Sequence, residues 1–347
     1  WFFAANSAIL PSLGSLNSLF LGCLLASCAA ASFALQLGWL GFLAAILVGF
    51  GYAISAPAGS IILAANTPKK IWGTLFSLRM AGVPAGGAFA GLVVATIVAQ
   101  YDWRISLVAL VLPSCLSLIF LRSIADEIYV PNPSVKFSIL SIFNPKLFLT
   151  PFQVLKRIPN LATITFVSIG FAAVQGSLFT FFTTYLTDAL GFSLGLAGSL
   201  YAAVQLSSFL GRIIVGFAAD FIGSTRVLLV ALGGCSPVGL VILYSLHVDD
   251  SLLVLFVKCS LIGSMIASWN GIFLAEVTRV AGSGDVGEST AASTFFTFLS
   301  YMVAPLVFGF VSFYFSYYYA FALMGCLVIL SALFLLKSIL DSSREKE

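Results

Sequence analysis

Runs of about 20 apolar residues, repeated along the chain with few charges inside them, constrain its fold more than any other feature. At about 1.5 Å per residue, such a helix crosses the roughly 30 Å hydrocarbon core of a bilayer. The runs do not alternate polar and apolar over about 10 residues, as the strands of a membrane barrel would. Charged residues make up only 8% of the chain, against roughly 25% in a soluble domain. A water-facing shell cannot be assembled from so few charges. The expected class is therefore an all-α polytopic membrane protein.

Read in order, the hydropathy predicts spans at about 14–35, 38–63, 71–98 and 105–122, then at about 161–187, 192–217, 226–246, 251–275, 287–313 and 316–337. That makes ten transmembrane helices, four plus six. The polar stretch between them holds Asp126, Glu127, Pro131, Pro133, Lys136, Pro145, Lys146, Lys156 and Arg157. The expected organisation is a partial N-terminal bundle over 1–122, a connector over 123–159, a six-helix bundle over 160–337 and a charged tail over 338–347. Within the connector, Lys136–Leu149 is amphipathic enough to lie on a membrane surface. Pro57, among glycines, predicts a bend or a locally unwound turn in the second span.

The placement of Lys and Arg sets the orientation. With the connector in the cytoplasm, Lys69, Lys70, Arg122, Lys136, Lys146, Lys156, Arg157, Arg226, Arg279, Lys337, Arg344 and Lys346 all fall on the inner side. Arg104 and Lys258 fall outside, with Asp188, His247, Asp249 and Asp250. This asymmetry is the positive-inside pattern. It predicts a multi-pass cytoplasmic (inner) membrane protein with its connector and C-terminus in the cytoplasm.

Other chemistries find little support. The six cysteines lie in apolar or small-residue contexts without metal-ligand spacing. The one histidine, His247, reads as part of a solvated turn and not as a metal ligand. Gly282–Asp285 lacks the Lys-Ser/Thr of a phosphate loop. Clustered intramembrane acids and histidines, as an embedded enzyme requires, are missing from the spans. No basic aromatic patch points to nucleic acid. The expectation is a non-enzymatic protein with no cofactor and no metal.

One polar segment carries a specific pattern: Gly211–Arg226, GRIIVGFAADFIGSTR. Gly216, Asp220, Gly223 and Arg226 fall at the end of one apolar run and the start of the next. Asp220 can accept backbone N–H bonds at a helix start, and Arg226 can pair with Asp220 or snorkel to headgroups. This segment resembles the loop signature between the second and third helices of each half in the major facilitator superfamily. Ser224 and Thr225 stand where that signature usually carries more positive charge. The segments Thr67–Gly91 and Ser268–Gly309 resemble a bacterial branch of putative transporters in the same superfamily. The resemblance implies two six-helix bundles, alternating access and a midplane solute site. It also implies that the chain lacks the first two helices of the first bundle. Secondary transport of a small organic solute, an organic anion in particular, is the function so implied. A receptor or regulator that keeps the fold without transporting is the alternative.

Candidate residues follow from polarity at membrane depth. Arg79 lies inside an apolar run and reads as an anion ligand, as the partner of a gating acid, or as a structural arginine. Gln175, Tyr201, Gln205 and Asn270 are polar positions that read either as solute ligands or as interhelical hydrogen bonds. Gly211, Arg212, Gly216, Asp220, Gly223 and Arg226 form the signature, with Arg212 assigned to its turn. Glu276 and Arg279 read as an i,i+3 pair and a gate element. The expected partners are a small-molecule solute, the lipid bilayer and a coupling proton or counter-ion. The protein is expected to be a monomer without nucleic-acid contacts.

Overall fold

The structure, a computed structural model, describes residues 2–34, 38–100, 103–128, 145–282 and 284–344. Its elements are helices α1 (Phe2–Leu13), α2 (Ser15–Ala34), α3 (Gly38–Asn66), α4 (Trp72–Gln100), α5 (Trp103–Ser123) and α6 (Thr150–Arg157). They continue with α7 (Leu161–Thr184), α8 (Leu194–Ile222), α9 (Thr225–Tyr244), α10 (Leu252–Ala267), α11 (Asn270–Ala281), α12 (Val286–Tyr314) and α13 (Tyr317–Arg344). A single π-helical turn, Tyr185–Ala189, extends α7.

The expectation of ten transmembrane helices, four plus six, is corrected. Among the described residues, eight helices are long and apolar enough to cross a membrane, two before the connector and six after it. Helices do form at 72–100 and 103–123. In the first, Arg79, Pro84 and several glycines interrupt the apolar run. In the second, the apolar part among the described residues is Val111–Ser123. No unwound turn forms at Pro57, since α3 runs through it as helix. The surface helix expected from Lys136 falls mostly outside the described residues, which resume at Pro145.

The chain forms two compact units. The first comprises Trp1–Pro68, Phe89–Pro159 and Val280–Phe295. In it α2 packs along α3 and α5, and α1 along α3. Ala5, Ile9 and Ile54 form a core closed by Leu13, Leu21, Leu25, Phe50 and Leu147. The α2–α3 crossing is close, because a methyl at Gly51 would stand 2.9 Å from the carbonyl oxygen of Gly22.

The second unit comprises Lys69–Ala88, Asn160–Arg279 and Phe296–Glu347. Here α8 packs on α10, and α13 packs on α7 and α9. Serine caps start three of these helices: Ser193, Ser224 and Ser251 accept the N–H groups of Leu196, Val227 and Val254. The run read as one span over 251–275 is two helices, α10 and α11, separated at Ser268 and Trp269.

Candidate functional site

Three helix midpoints meet inside the second unit. Gln175 lies at the middle of the 29-residue span that begins at Leu161, Tyr301 at the middle of α12, and Trp269 near the middle of the 30-residue span Leu252–Ala281. Trp269 Nε1 donates to Gln175 Oε1 at 2.7 Å, and the Tyr301 hydroxyl donates to the same oxygen at 2.9 Å. Asn270 Nδ2 reaches the Tyr301 hydroxyl at 3.5 Å. Phe171 stacks on Trp269 with centroids 5.2 Å apart. Gln175 is 4% exposed and Trp269 1%, so each hydrogen bond is made where water is scarce and a missing partner is costly.

The break at Ser268 and Trp269 supplies further polarity. A helix end buried in a membrane protein must have its last carbonyls satisfied. Arg212 Nε donates to the Ala267 carbonyl at 3.0 Å, and Ser208 Oγ donates to it at 3.2 Å. Arg212 Nη1 also donates to the Met80 carbonyl on α4. Arg212 is thus a buried cation, 2% exposed, held on two carbonyls. Nearby hydrogen-bonding capacity is left over: Ser268 Oγ, Asn270 Oδ1, Gln205 Oε1 and Ser77 Oγ are buried and have no hydrogen-bond partner among the described residues. Gly271 packs directly on Ser77, and a methyl there would overlap the Ser77 backbone.

A second cluster gathers charge at one end of the same unit. Gly223, at φ 77°, ends α8 in the left-handed conformation that glycine adopts most readily. Asp220, one turn earlier, accepts the N–H of Gly73 at 2.8 Å and the N–H of Thr74 at 2.7 Å. Both its oxygens thereby cap the N-terminus of α4, where the helix dipole favours negative charge. Glu276 accepts Arg226 Nε at 2.5 Å and the Thr225 hydroxyl. Arg279 stands 3.7 Å from Asp220 and 4.0 Å from Glu276, and donates to Thr225 at 2.9 Å. Two acids and two guanidinium groups therefore form one network.

A family model described as the Major Facilitator Superfamily matches residues 12–302, most of the chain. The chain belongs to this superfamily. It is a multi-pass membrane protein and a secondary transporter of a small organic solute, not an enzyme. None of the curated proteins matches its sequence significantly. Among solved structures, the human organic anion transporter MFSD10 (TETRAN) is similar at 17% identity and TM-score 0.73, over 96% of this chain and 80% of that one. A variant of the fucose:proton symporter FucP of E. coli is similar at 13% identity and TM-score 0.69, over 96% of this chain and 87% of that one. FucP in an outward conformation is similar at 14% identity and TM-score 0.65, over 96% and 88%. At these identities the likeness is one of fold.

In this major facilitator chain the sequence-derived residues fall into three places. Gln175 and Asn270 join the mid-span cluster. Tyr201 and Gln205 pair with each other, Gln205 Nε2 donating to the Tyr201 hydroxyl at 3.0 Å. Arg79 is half-buried on α4, next to Met80. Gly216, Asp220, Gly223, Arg226, Glu276 and Arg279 lie in or beside the charged network. Arg226, read as a partner of Asp220 or of the headgroups, pairs with Glu276, while Asp220 accepts backbone N–H groups at the start of α4. Arg212, expected to serve the turn, lies two turns earlier on α8 and caps the helix break instead. Gly211 explains that placement, since it packs against Ser264 and Ser268 at the break. Sequence reasoning missed Trp269 and Tyr301 as network members. Their aromatic character reads as core until the partner Gln175 is seen across 94 and 126 residues.

Proposed function

We propose that the transported solute is an organic anion bound at the mid-span cluster of Gln175, Asn270 and Tyr301, with Arg79 and Arg212 supplying positive charge. One observation carries the reading: the buried charge nearest mid-span is cationic, while Asp220 and Glu276 lie toward helix ends with Arg226 and Arg279 against them. A guanidinium away from water calls for an anionic or carbonyl partner. Arg212 donates to the Ala267 and Met80 carbonyls, and a carboxylate taking the place of Met80 when α4 withdraws would make a stronger, charge-assisted contact. The organic anion transporter among the structural relatives supports the same solute class. Tyr201 and Gln205 extend the polar lining along α8.

The network around Asp220 and Glu276 is the gate in this reading, closed when α4 rests on Asp220. A partial N-terminal bundle over 1–122, a connector over 123–159, a C-terminal bundle over 160–337 and a tail over 338–347 complete the scheme. The excess of Lys and Arg supports a cytoplasmic connector and tail and an inner-membrane location in this scheme. The fucose:proton symporter among the relatives makes the proton the first coupling ion to test.

The test is a thermal-shift panel of carboxylates, sugars and amines on purified protein, followed by uptake into proteoliposomes with and without a pH gradient. Carboxylates are expected to stabilise, and Arg79→Ala to weaken that effect about tenfold or more. Stabilisation by amines or sugars and not by carboxylates overturns the anion assignment. An Arg79→Ala protein with unchanged affinity and rate removes Arg79 from the site.

A further inference from the structure

Helices α7, α12 and α13 leave an apolar crevice between them in the second unit, about 320 Å³ in volume and open to the outside. Ile169 and Ala173 line it from α7, Val303 and Val307 from α12, and Met324 and Leu327 from α13. All six lie inside candidate membrane spans. The one polar side chain in its wall is Ser300, whose hydroxyl already donates to the Ile169 carbonyl at 2.8 Å. The volume falls in the roughly 300–1,000 Å³ range of small-molecule sites. The crevice is distinct from the mid-span cluster. Ala173 and Gln175 are two residues apart, so they point about 200° apart around α7.

The crevice leads to an aromatic turn. On α12, Phe310 and Tyr314 continue the row of Val303 and Val307 at helical spacing, and on α13 Leu323 and Tyr319 continue the row of Leu327. Phe310, Phe313, Tyr314, Phe315, Tyr318 and Tyr319 are all exposed. The sequence holds no Asp, Glu, Lys or Arg between Glu288 and Lys337. Tyr314 closes one span and Tyr317 opens the next, so these rings stand at a membrane boundary. Val303 lies about 16 Å from Tyr314 along the helix, close to half of the roughly 30 Å hydrocarbon core. The charge at this end of the unit is acidic. The Tyr185 ring meets those of Tyr244 and Tyr317 at 6.3 and 5.1 Å, which brings Asp188 and the 247–250 turn to the same end. Lys258 pairs with Asp250 at 2.7 Å. Asp188 and Asp249 have no cation paired with them among the described residues.

We propose that this crevice and turn form a site for one zwitterionic phospholipid. An acyl chain fills the space between α12 and α13, and the ammonium of the headgroup rests among the exposed tyrosine rings. Depth and shape select the chain. A polar ligand finds no free partner in the walls, whereas a hydrocarbon chain entering at the turn reaches the crevice near mid-membrane. Charge selects the headgroup. Ring faces attract an ammonium, the tyrosine hydroxyls suit the headgroup layer, and two unpaired acids repel an anionic lipid.

The experiment places the full chain in nanodiscs with phosphatidylcholine that carries a photoreactive diazirine at mid-chain, and maps the labelled peptides by mass spectrometry. Labelling is expected to concentrate on 296–307 and 323–327, about tenfold above the exposed Val238 and Val241 of α9. Unlabelled phosphatidylcholine is expected to compete about fivefold better than phosphatidylglycerol of matched chains. Tyr314→Leu combined with Tyr319→Leu is expected to erase that difference while the same peptides stay labelled. Val303→Trp fills the crevice and is expected to cut labelling about tenfold. Where Val303→Trp lowers the unfolding temperature, Leu327→Trp on the facing wall takes its place. Even labelling of α9, α12 and α13 reveals ordinary bilayer contact and overturns the proposal. So does labelling that survives both tryptophans. Equal competition by the two lipids overturns the choice of headgroup. Labelling lost when each nanodisc holds two copies of the chain instead of one assigns the crevice to a second copy and also overturns the proposal.

Discussion

Glu276 shows how burial decides the worth of a charge. It is 5% exposed and holds Arg226 at 2.5 Å along with the Thr225 hydroxyl. Removing its charge leaves Arg226 and Arg279 facing each other in a partly dry site. Breaking a buried pair costs roughly 3–5 kcal/mol, and because both arginines keep about a quarter of their surface, roughly 2 kcal/mol is the expected loss for Glu276→Gln. Arg157 makes two ion pairs at 2.7 Å, but its side chain is 53% exposed. Its removal should cost about 1 kcal/mol or less. Denaturation in detergent checks both, and a larger loss for Arg157→Gln than for Glu276→Gln would reverse the ranking. Asp250 offers a pH test outside the spans. Hydrogen bonds from the Lys258 ammonium and the His247 backbone N–H hold its carboxyl below the ordinary carboxylate value. A group with a depressed folded value stabilises above its unfolded pKa of about 3.9, and that contribution fades as pH falls through the folded value. The difference in unfolding temperature between the protein and Asp250→Asn should thus be constant near neutrality and shrink below about pH 4. A difference that grows on acidification would contradict the pairing.

At the scale of elements, helices were legible where an apolar run ended in a serine cap or a left-handed glycine. Ser193, Ser224, Ser251 and Gly223 mark such ends, and the helices that follow or precede them fall close to the predicted spans. The break between α10 and α11 was not legible. Ser-Trp-Asn contains no proline, and the carbonyl it frees is satisfied by Arg212, 55 residues away. Local sequence does not reveal a stop whose compensation is remote. The same reason hid the partner of Asp220. Its acidity at a helix boundary suggested a cap, but the helix it caps is α4, 147 residues earlier. The expected ten spans exceed the eight found among the described residues, where α4 carries Arg79 and Pro84 and α5 contributes Val111–Ser123. The cap on α4 is open to a direct test. Asp220→Asn keeps one acceptor oxygen and removes the charge from the helix dipole, a term of about 0.3–2 kcal/mol. Hydrogen exchange at Gly73 and Thr74 should accelerate roughly 2- to 30-fold. Unchanged exchange would show that the dipole contact contributes nothing to holding α4.

For the whole molecule, parity and charge make one joint prediction about orientation. Six candidate spans follow the connector, an even number, so the chain after the last span returns to the side from which it left. Lys146, Lys156 and Arg157 precede those spans, and Arg344 closes α13. Arg226 and Arg279 lie at turns on that same side after two and four spans. The turn holding His247, Asp249 and Asp250 follows three spans and carries acids in place of cations. Parity is geometry and charge is a bias on insertion, so the two are independent, and they agree. Reporter fusions measure the result. Alkaline phosphatase, active only outside the cytoplasm, should be active when fused after Asp249 and inactive when fused after Arg344. A fluorescent protein that folds only in the cytoplasm should give the opposite pattern. Phosphatase activity at both positions would break the parity of the six spans. Activity after Arg344 alone would keep the parity and invert the protein, leaving the Asp220–Glu276 network on the outer face and moving the proposed gate with it.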